Sequence, residues 1–203
     1  MNDTNYVFII DDDAAVLDSL GMLLEASGYT VATFHGAEDF LEVCTPETHG
    51  CIILDVDMPD MDGPALQDEL KRRGLTLPVI FLSGHGTIPL TVRALKAGAI
   101  DFLTKPVSGT VLLERVQEAM EKSAQMRERS SASRAAAARL STLTSREREV
   151  MNLVVEGYTS KEIAQRLNIS YRTVEIHRAH LMQKSGAANM LELARIITHE
   201  VRQ

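Results

Sequence analysis

The sequence predicts an α/β fold over its first 120 residues, a five-stranded doubly wound parallel sheet, joined to a small all-α domain of four helices. Three observations carry this. Short β-rich apolar runs alternate with amphipathic helical stretches up to residue 120, the signature of parallel strands covered on both faces. The carboxylates and polar residues of that half collect just after the strand runs, the edge where open α/β sheets hold ligands. Residues 143–199 carry only helical periodicity, opened repeatedly by capping signals.

The strand runs are Tyr6–Ile10, Thr30–Phe34, Cys51–Asp55, Val79–Ser83 and Ile100–Thr104. Between the first two, Val16, Leu17, Leu20, Leu23 and Leu24 recur at helical spacing, and Gly28 ends that helix. From about Glu121 to Ser141 the chain reads KSAQMRERSSASRAAAARLS, nearly without large apolar residues after Met126. Ala, Arg, Glu, Gln and Met favour a helix there, while Ser130, Ser131 and Ser133 weaken it, so residues 123–142 are expected to be a linker, helical in part. Thr144-x-x-Glu147, Thr159-x-x-Glu162 and Asn189-x-x-Glu192 have capping-box form, Ser170 can cap a further helix, and Gly157 and Gly186 stand at helix ends. The four helices are expected at about 145–156, 160–167, 171–184 and 190–199, and the domains at 1–122 and 143–203.

Composition narrows the function classes. With 45% hydrophobic and 24% charged residues the chain is an ordinary globular one, and its longest apolar runs are far too short for a membrane span. Met1–Tyr6 is polar and runs straight into the first strand, leaving no room for a signal peptide, so a cytoplasmic location is expected. Cys44 and Cys51 read as small buried thiols rather than a disulfide framework. The net charge of −7 conceals a split: residues 1–120 carry 7 basic against 19 acidic residues, and residues 121–203 carry 14 against 9. The basic half is suited to a polyanion.

Asp11, Asp12 and Asp13 follow the first strand and Asp55 ends the third. Carboxylates gathered at adjacent strand ends repel one another unless a cation lies between them. Hard oxygen ligands that leave room for water and phosphate suit Mg²⁺. Helix N-capping accounts for one of these acids but not for the group. Ser83 ends the fourth strand and Lys105, followed by Pro106, the fifth, so a hydroxyl and an ammonium converge on the same edge.

The set IIDDD, ILDVDMPDMDG, FLSGHG and DFLTKP resembles the receiver domain of two-component response regulators, with a flavodoxin-like fold, over residues 4–122. The resemblance implies Asp55 as phosphoacceptor, Asp12 as a direct Mg²⁺ ligand, Asp11 as a ligand through water, and the Asp57 backbone carbonyl as a further one, with Asp55 itself. It also implies that Ser83 contacts a phosphoryl oxygen, that Lys105 pairs with the phosphoryl group, and that Phe102 reorients with it. The surface near Phe102 carries Arg93, Lys96 and Asp101, mixed charges suited to pairing across a two-fold axis. Asp55-Val56-Asp57 also matches the Asp-x-Asp of haloacid-dehalogenase-type phosphatases. There the motif lies on the first strand, whereas here it is on the third and continues as Met58-Pro59.

In the C-terminal half a helix, a tight turn at Leu167-Asn168-Ile169 and a second helix follow one another; Asn168 tolerates the left-handed conformation such a turn needs. With TVEIHR after IAQRL, this segment resembles the LuxR-type helix-turn-helix of the NarL/FixJ subfamily, over residues 143–199. At 100° per residue, Val174, His177 and Leu181 share one face, and Arg172, Glu175, Ile176, Ala179 and Gln183 the other. An exposed Ile176 suits a thymine methyl, and Glu175 can accept from a cytosine amino group. Arg178 and His180 flank that face and are expected to reach phosphates, with Lys161 and Thr173 as further contacts. Acidic Glu175 and small Ala179 replace lysines found in some relatives, which shifts specificity toward Glu175 and DNA shape. Together the resemblances imply a phosphorylation-dependent transcriptional regulator rather than an enzyme. The implied partners are a cognate sensor histidine kinase, double-stranded promoter DNA and, when phosphorylated, a second copy of the chain, with no membrane.

Overall fold

The computed structural model describes residues 6–187 together with Asn189, Glu192, Leu193, Ala194, Ile196 and Ile197. It divides into two compact units, Met1–Arg127 and Glu128–Gln203.

In the first unit five strands form one parallel sheet: β1 (Tyr6–Ile10), β2 (Thr30–Phe34), β3 (Gly50–Asp55), β4 (Val79–Ser83) and β5 (Asp101–Thr104), ordered β2-β1-β3-β4-β5. The strand bounds lie within one residue of those expected. Because side chains alternate across a strand, β1 sends Phe8 and Ile10 to one face and Val7 and Ile9 to the other. Helices α1 (Ala14–Ala26) and α5 (Gly109–Ser141) cover the second face through Leu17, Leu20, Leu24, Leu112 and Val116. Helices α2 (Ala37–Val43), α3 (Gly63–Arg72) and α4 (Ile88–Lys96) cover the first through Phe40, Leu66, Leu70 and Ala94. Fully burying such a side chain contributes about 1.5–3 kcal/mol, which is what closes both layers onto the sheet. The order reverses between β1 and β3, and at such a switch point the strand ends leave a crevice. Cys44 and Cys51 are free and buried on opposite faces, and burial pushes the Cys51 thiol up to about 12.

Helix α5 runs unbroken to Ser141, so residues 123–141 are helical throughout. The serines do not interrupt it: Ser131 Oγ donates back to the Glu128 carbonyl at 2.9 Å, satisfying its hydroxyl within the helix.

The second unit holds α6 (Ser145–Val155), α7 (Ser160–Leu167) and α8 (Tyr171–Ser185) around Val150, Ile163, Val174, Leu181 and Leu193. Thr144 and Thr159 each close a full capping box with Glu147 and Glu162. Asn168 ends α7 with φ 50°, and Gly186 ends α8 with φ 73°. Of the fourth helix expected at 190–199, Glu192, Leu193, Ala194, Ile196 and Ile197 are helical, and Asn189 Oδ1 accepts the Glu192 N–H at 2.9 Å. The remainder of that helix lies outside the described residues. No described helix is long and apolar enough to cross a membrane.

Candidate phosphorylation site and nucleic-acid interface

At the crevice, β1 and β3 deliver two acids side by side. Asp11, just past β1, is 2% exposed and Asp55, the last residue of β3, is 5% exposed. The ammonium of Lys105, just past β5, stands 2.6 Å from Asp11 Oδ2 and 2.6 Å from Asp55 Oδ1. The remaining oxygens face backbone: Asp11 Oδ1 accepts the Asp13 N–H at 3.0 Å, and Asp55 Oδ2 accepts the Asp57 N–H at 2.7 Å. Burial pushes the Asp11 carboxyl up, and neither Lys105 nor the Asp13 N–H brings it back to its ordinary value. Burial alone would lower the Lys105 ammonium, but hydrogen bonds to Asp11 and Asp55 outweigh it and hold it raised. One cation thus serves two buried carboxylates, and the balance of charge remains negative.

The other residues of the set divide by role. Asp13 is the N-cap of α1, accepting from Ala15 N–H at 2.8 Å, so one acid of the triplet is a capping group. Asp12 and Asp57 are exposed beside the buried pair. Ser83 ends β4 fully buried, its Oγ accepting the His85 N–H at 3.1 Å. Phe102 on β5 is half-buried, its ring centroid 6.0 Å from that of Phe81. All the donors are oxygens, the set a hard divalent cation prefers, and two of them are buried with incomplete compensation. Among the described residues no three His, Cys, Asp or Glu side chains are gathered around one point, and Lys105 pairs with both Asp11 and Asp55. The donor chemistry fits Mg²⁺.

Two glycines shape this edge and were not singled out from the sequence. A Cβ on Gly63 would stand 2.4 Å from the Asp55 carbonyl oxygen and 2.9 Å from Phe81 Cε1, so the start of α3 can approach Asp55 only without a side chain. A Cβ on Gly86 would meet Phe102 Cε1 at 2.8 Å, which ties the loop after Ser83 to that ring. Both end a motif quoted above, ILDVDMPDMDG and FLSGHG, but nothing local to the chain marks them as close approaches.

Of the expected pairing surface, Arg93 and Lys96 lie in the last turn of α4 and Asp101 begins β5. Arg93 is 3.7 Å from Asp68 of α3, and Asp101 is 3.4 Å from Arg115 of α5, so both charges have partners within the unit. Beside them α4 exposes Ile88, Val92 and Leu95 at i, i+4 and i+7, an apolar stripe that the charge pattern did not reveal.

On α8, Val174 and Leu181 are buried and His177 is half-buried, while Arg172, Glu175, Ile176, Ala179, His180 and Gln183 are exposed. Ile176 is 47% exposed, large for an isoleucine on a helix of a packed domain. Thr173, half-buried, closes the first turn through Ser170, and Lys161 is exposed at the start of α7. Arg178 is half-buried and donates to Ser160 Oγ at 3.0 Å, linking α8 to the first turn of α7. His180 Nδ1 lies 3.7 Å from Glu147 Oε1. Glu147, 3% exposed, takes Lys184 Nζ at 2.7 Å and the Thr144 N–H at 2.8 Å. The Lys184 hydrogen bond, with that N–H, holds its carboxyl down at about 2.

Comparison with known proteins assigns a family to each half of the chain. Residues 7–117 match the response regulator receiver domain, and residues 141–197 match the bacterial regulatory proteins of the luxR family. The chain is a response regulator of the NarL/FixJ type. Transcriptional regulatory protein FixJ of Azorhizobium caulinodans is 42% identical, over 94% of this chain and 90% of that protein. Transcriptional regulatory protein TdiR of Thauera aromatica is 41% identical, over 94% and 84%. Among solved structures, response regulator StyR has a TM-score of 0.81 at 38% identity, covering 97% of this chain and 99% of that one. Full-length FixJ from B. japonicum has a TM-score of 0.58 at 36% identity, covering 98% of each. This response regulator is therefore a two-component transcriptional regulator with a receiver and a LuxR-type DNA-binding domain.

Proposed function

We propose that Asp55 is the residue phosphorylated, and that its phosphorylation drives pairing of two receivers and binding to paired DNA half-sites. The observation that carries this is the buried Asp55 carboxylate at the end of β3, with Lys105 on one oxygen and the Asp57 N–H on the other.

A carboxylate oxygen of Asp55 attacks phosphorus in line. The phosphorus–nitrogen bond of a sensor kinase's phosphohistidine, or the phosphorus–oxygen bond of a small acyl phosphate, breaks, and the imidazole or carboxylate leaves with the electron pair. Asp55 needs no added nucleophile, since its own carboxylate oxygen attacks, in contact with the Lys105 ammonium. Asp11, Asp12, Asp55 and the Asp57 carbonyl would hold Mg²⁺, which supplies charge neutralisation for the transferring phosphoryl oxygens. Lys105 then has a stronger anion to face than a carboxylate, and its hold on Asp11 relaxes in favour of the phosphoryl oxygens. Ser83 Oγ now accepts the His85 N–H; to donate to a phosphoryl oxygen it must move toward Asp55. That movement frees the loop around Gly86, against which Phe102 rests, and passes a local charge change to β5 and α4. Transfer is stoichiometric, one group per chain, so the receiver is a switch rather than a turnover enzyme.

The surface that answers is the α4 stripe of Ile88, Val92 and Leu95, rimmed by Arg93, Lys96 and Asp101. Apolar residues would supply the contact, and the rim charges, released from Asp68 and Arg115, the register. On the DNA side, the exposed face of α8 enters the major groove. Ile176 and Glu175 read bases with Arg172, Ala179 and Gln183 beside them, and Lys161, Thr173, Arg178 and His180 serve the backbone. Work on DNA in a two-component pathway supports a cytoplasmic location.

Incubation of the full chain with acetyl phosphate and Mg²⁺, read by intact mass, should add one phosphoryl group. Asp55→Asn should add none. Stoichiometric uptake by Asp55→Asn would assign the phosphoryl group elsewhere.

A further inference from the structure

The edge of the sheet away from Asp55 carries a cavity that the phosphorylation switch does not use. It has a volume of about 140 Å³ and lies among the end of α3, the start of β4 and the α5 segment around Met126. Leu70, Leu75, Leu77, Val79 and Met126 give it apolar walls. An apolar cavity of this size, about 150 Å³, is large enough to hold benzene.

Four polar side chains, Gln67, Lys71, Thr76 and Lys122, interrupt the apolar lining. Gln67 on α3 lines the cavity, is only 5% exposed, and makes no side-chain hydrogen bond to any described residue. A buried amide without a partner is costly, by an amount comparable to a lost hydrogen bond, so this one is available to a ligand. Lys71 and Lys122 also line it. Lys71 has only a long contact with Asp68, at 3.9 Å, and Lys122 is exposed without an ion pair among the described residues. Apolar walls, one unsatisfied amide and two available ammonium groups are the elements of a small-molecule site: walls for bulk, a few polar groups for orientation.

We propose that this cavity is a binding site for a compact carboxylic acid built on a hydrocarbon ring. The ring is taken by the leucine and Met126 walls, Lys71 and Lys122 balance the carboxylate, and Gln67 supplies the neutral hydrogen bond. The neighbouring Ala97 and Gly98, which follow α4, also line the cavity, so occupancy touches the far end of the helix that carries the pairing stripe.

Benzoate is the probe, titrated into the full unphosphorylated chain and followed by amide NMR. Saturable shifts confined to residues around 67–79, 97–98 and 122–126 are expected. Gln67→Leu, which loses one hydrogen bond, should weaken binding by about two- to tenfold. Lys122→Glu is on the surface and leaves the core intact; it should weaken benzoate by about three- to tenfold and leave benzene binding unchanged. Shifts scattered over the surface, or no saturation, would overturn the site and leave water as the only occupant. Equal affinity for benzene and benzoate, or full binding by both variants, would overturn the assignment to a carboxylic acid.

Discussion

Removing Lys105 tests the electrostatics of the acid pair without any phosphate present. In the folded receiver its ammonium is 2.6 Å from both Asp11 and Asp55, whose side chains are 3% and 7% exposed. Lys105→Ala leaves two adjacent buried carboxylates with no counter-cation. Breaking one partner out of a buried pair costs about 3–5 kcal/mol. Lys105 is itself 26% exposed, so water recovers part of this, and a loss of about 2–4 kcal/mol is expected at pH 7 in EDTA. At a mid-range urea slope of about 2 kcal/mol per molar, the receiver midpoint falls by roughly 1–2 M. The sign with pH is fixed. Burial already holds the Asp11 carboxyl above its unfolded value, and losing Lys105 raises it further, so the deficit is present at neutral pH and disappears as pH falls below about 4. Mg²⁺ should recover much of the loss, since it meets the same unpaired oxygens. The assay is urea unfolding of wild type and variant, read from receiver amide signals, between pH 4 and pH 8 with EDTA or Mg²⁺. A deficit below about 0.5 kcal/mol, within the range of an ordinary surface substitution, would refute the buried-pair argument, as would one that does not change with pH.

Three further outcomes follow from particular contacts. Gly63→Ala puts a methyl 2.4 Å from the Asp55 carbonyl oxygen, and should cost about 1–3 kcal/mol by overpacking and slow phosphoryl uptake; an unchanged urea midpoint would contradict it. Glu147, held at about 2 against an ordinary 4.5, contributes stability that is complete above about pH 4.5 and is lost as pH falls toward 2. Glu147→Gln should therefore flatten the pH dependence of the DNA-binding domain's urea midpoint over that window, and an unaltered slope would remove Glu147 from the account. Arg178→Ala should weaken DNA binding alike on all sequences and reduce the slope of log affinity against log salt by about one; a change confined to one sequence would make Arg178 a base reader instead.

What was legible in the chain was what local signals determine. Capping boxes at Thr144 and Thr159, the left-handed Asn168 and the five strand runs are short-range patterns, and each produces its element at the expected residues. The buried and exposed faces of α8 follow in the same way from helical periodicity. Contacts between elements were not legible. Arg93 meets Asp68, Asp101 meets Arg115, Arg178 meets Ser160 and His180 approaches Glu147, each across packing that no single segment encodes. The apolar stripe on α4 was hidden because Ile88, Val92 and Leu95 read equally well as core; only the structure shows that Ala94 alone of that helix is buried. The close approach of Gly63 to Asp55 likewise depends on where α3 begins relative to β3.

The central claim is that phosphorylation at Asp55 turns a weakly binding monomer into a dimer that holds two half-sites. A single α8 makes few base contacts, and joining two domains raises effective concentration, which can multiply affinity by about 10²–10⁴ without a new contact. Sedimentation and operator binding, measured side by side on the full chain before and after phosphorylation with acetyl phosphate and Mg²⁺, test it directly. A monomer should become a dimer with affinity rising in parallel, and neither change should occur in Asp55→Asn. A fully phosphorylated protein that stays monomeric yet gains the same affinity would contradict it.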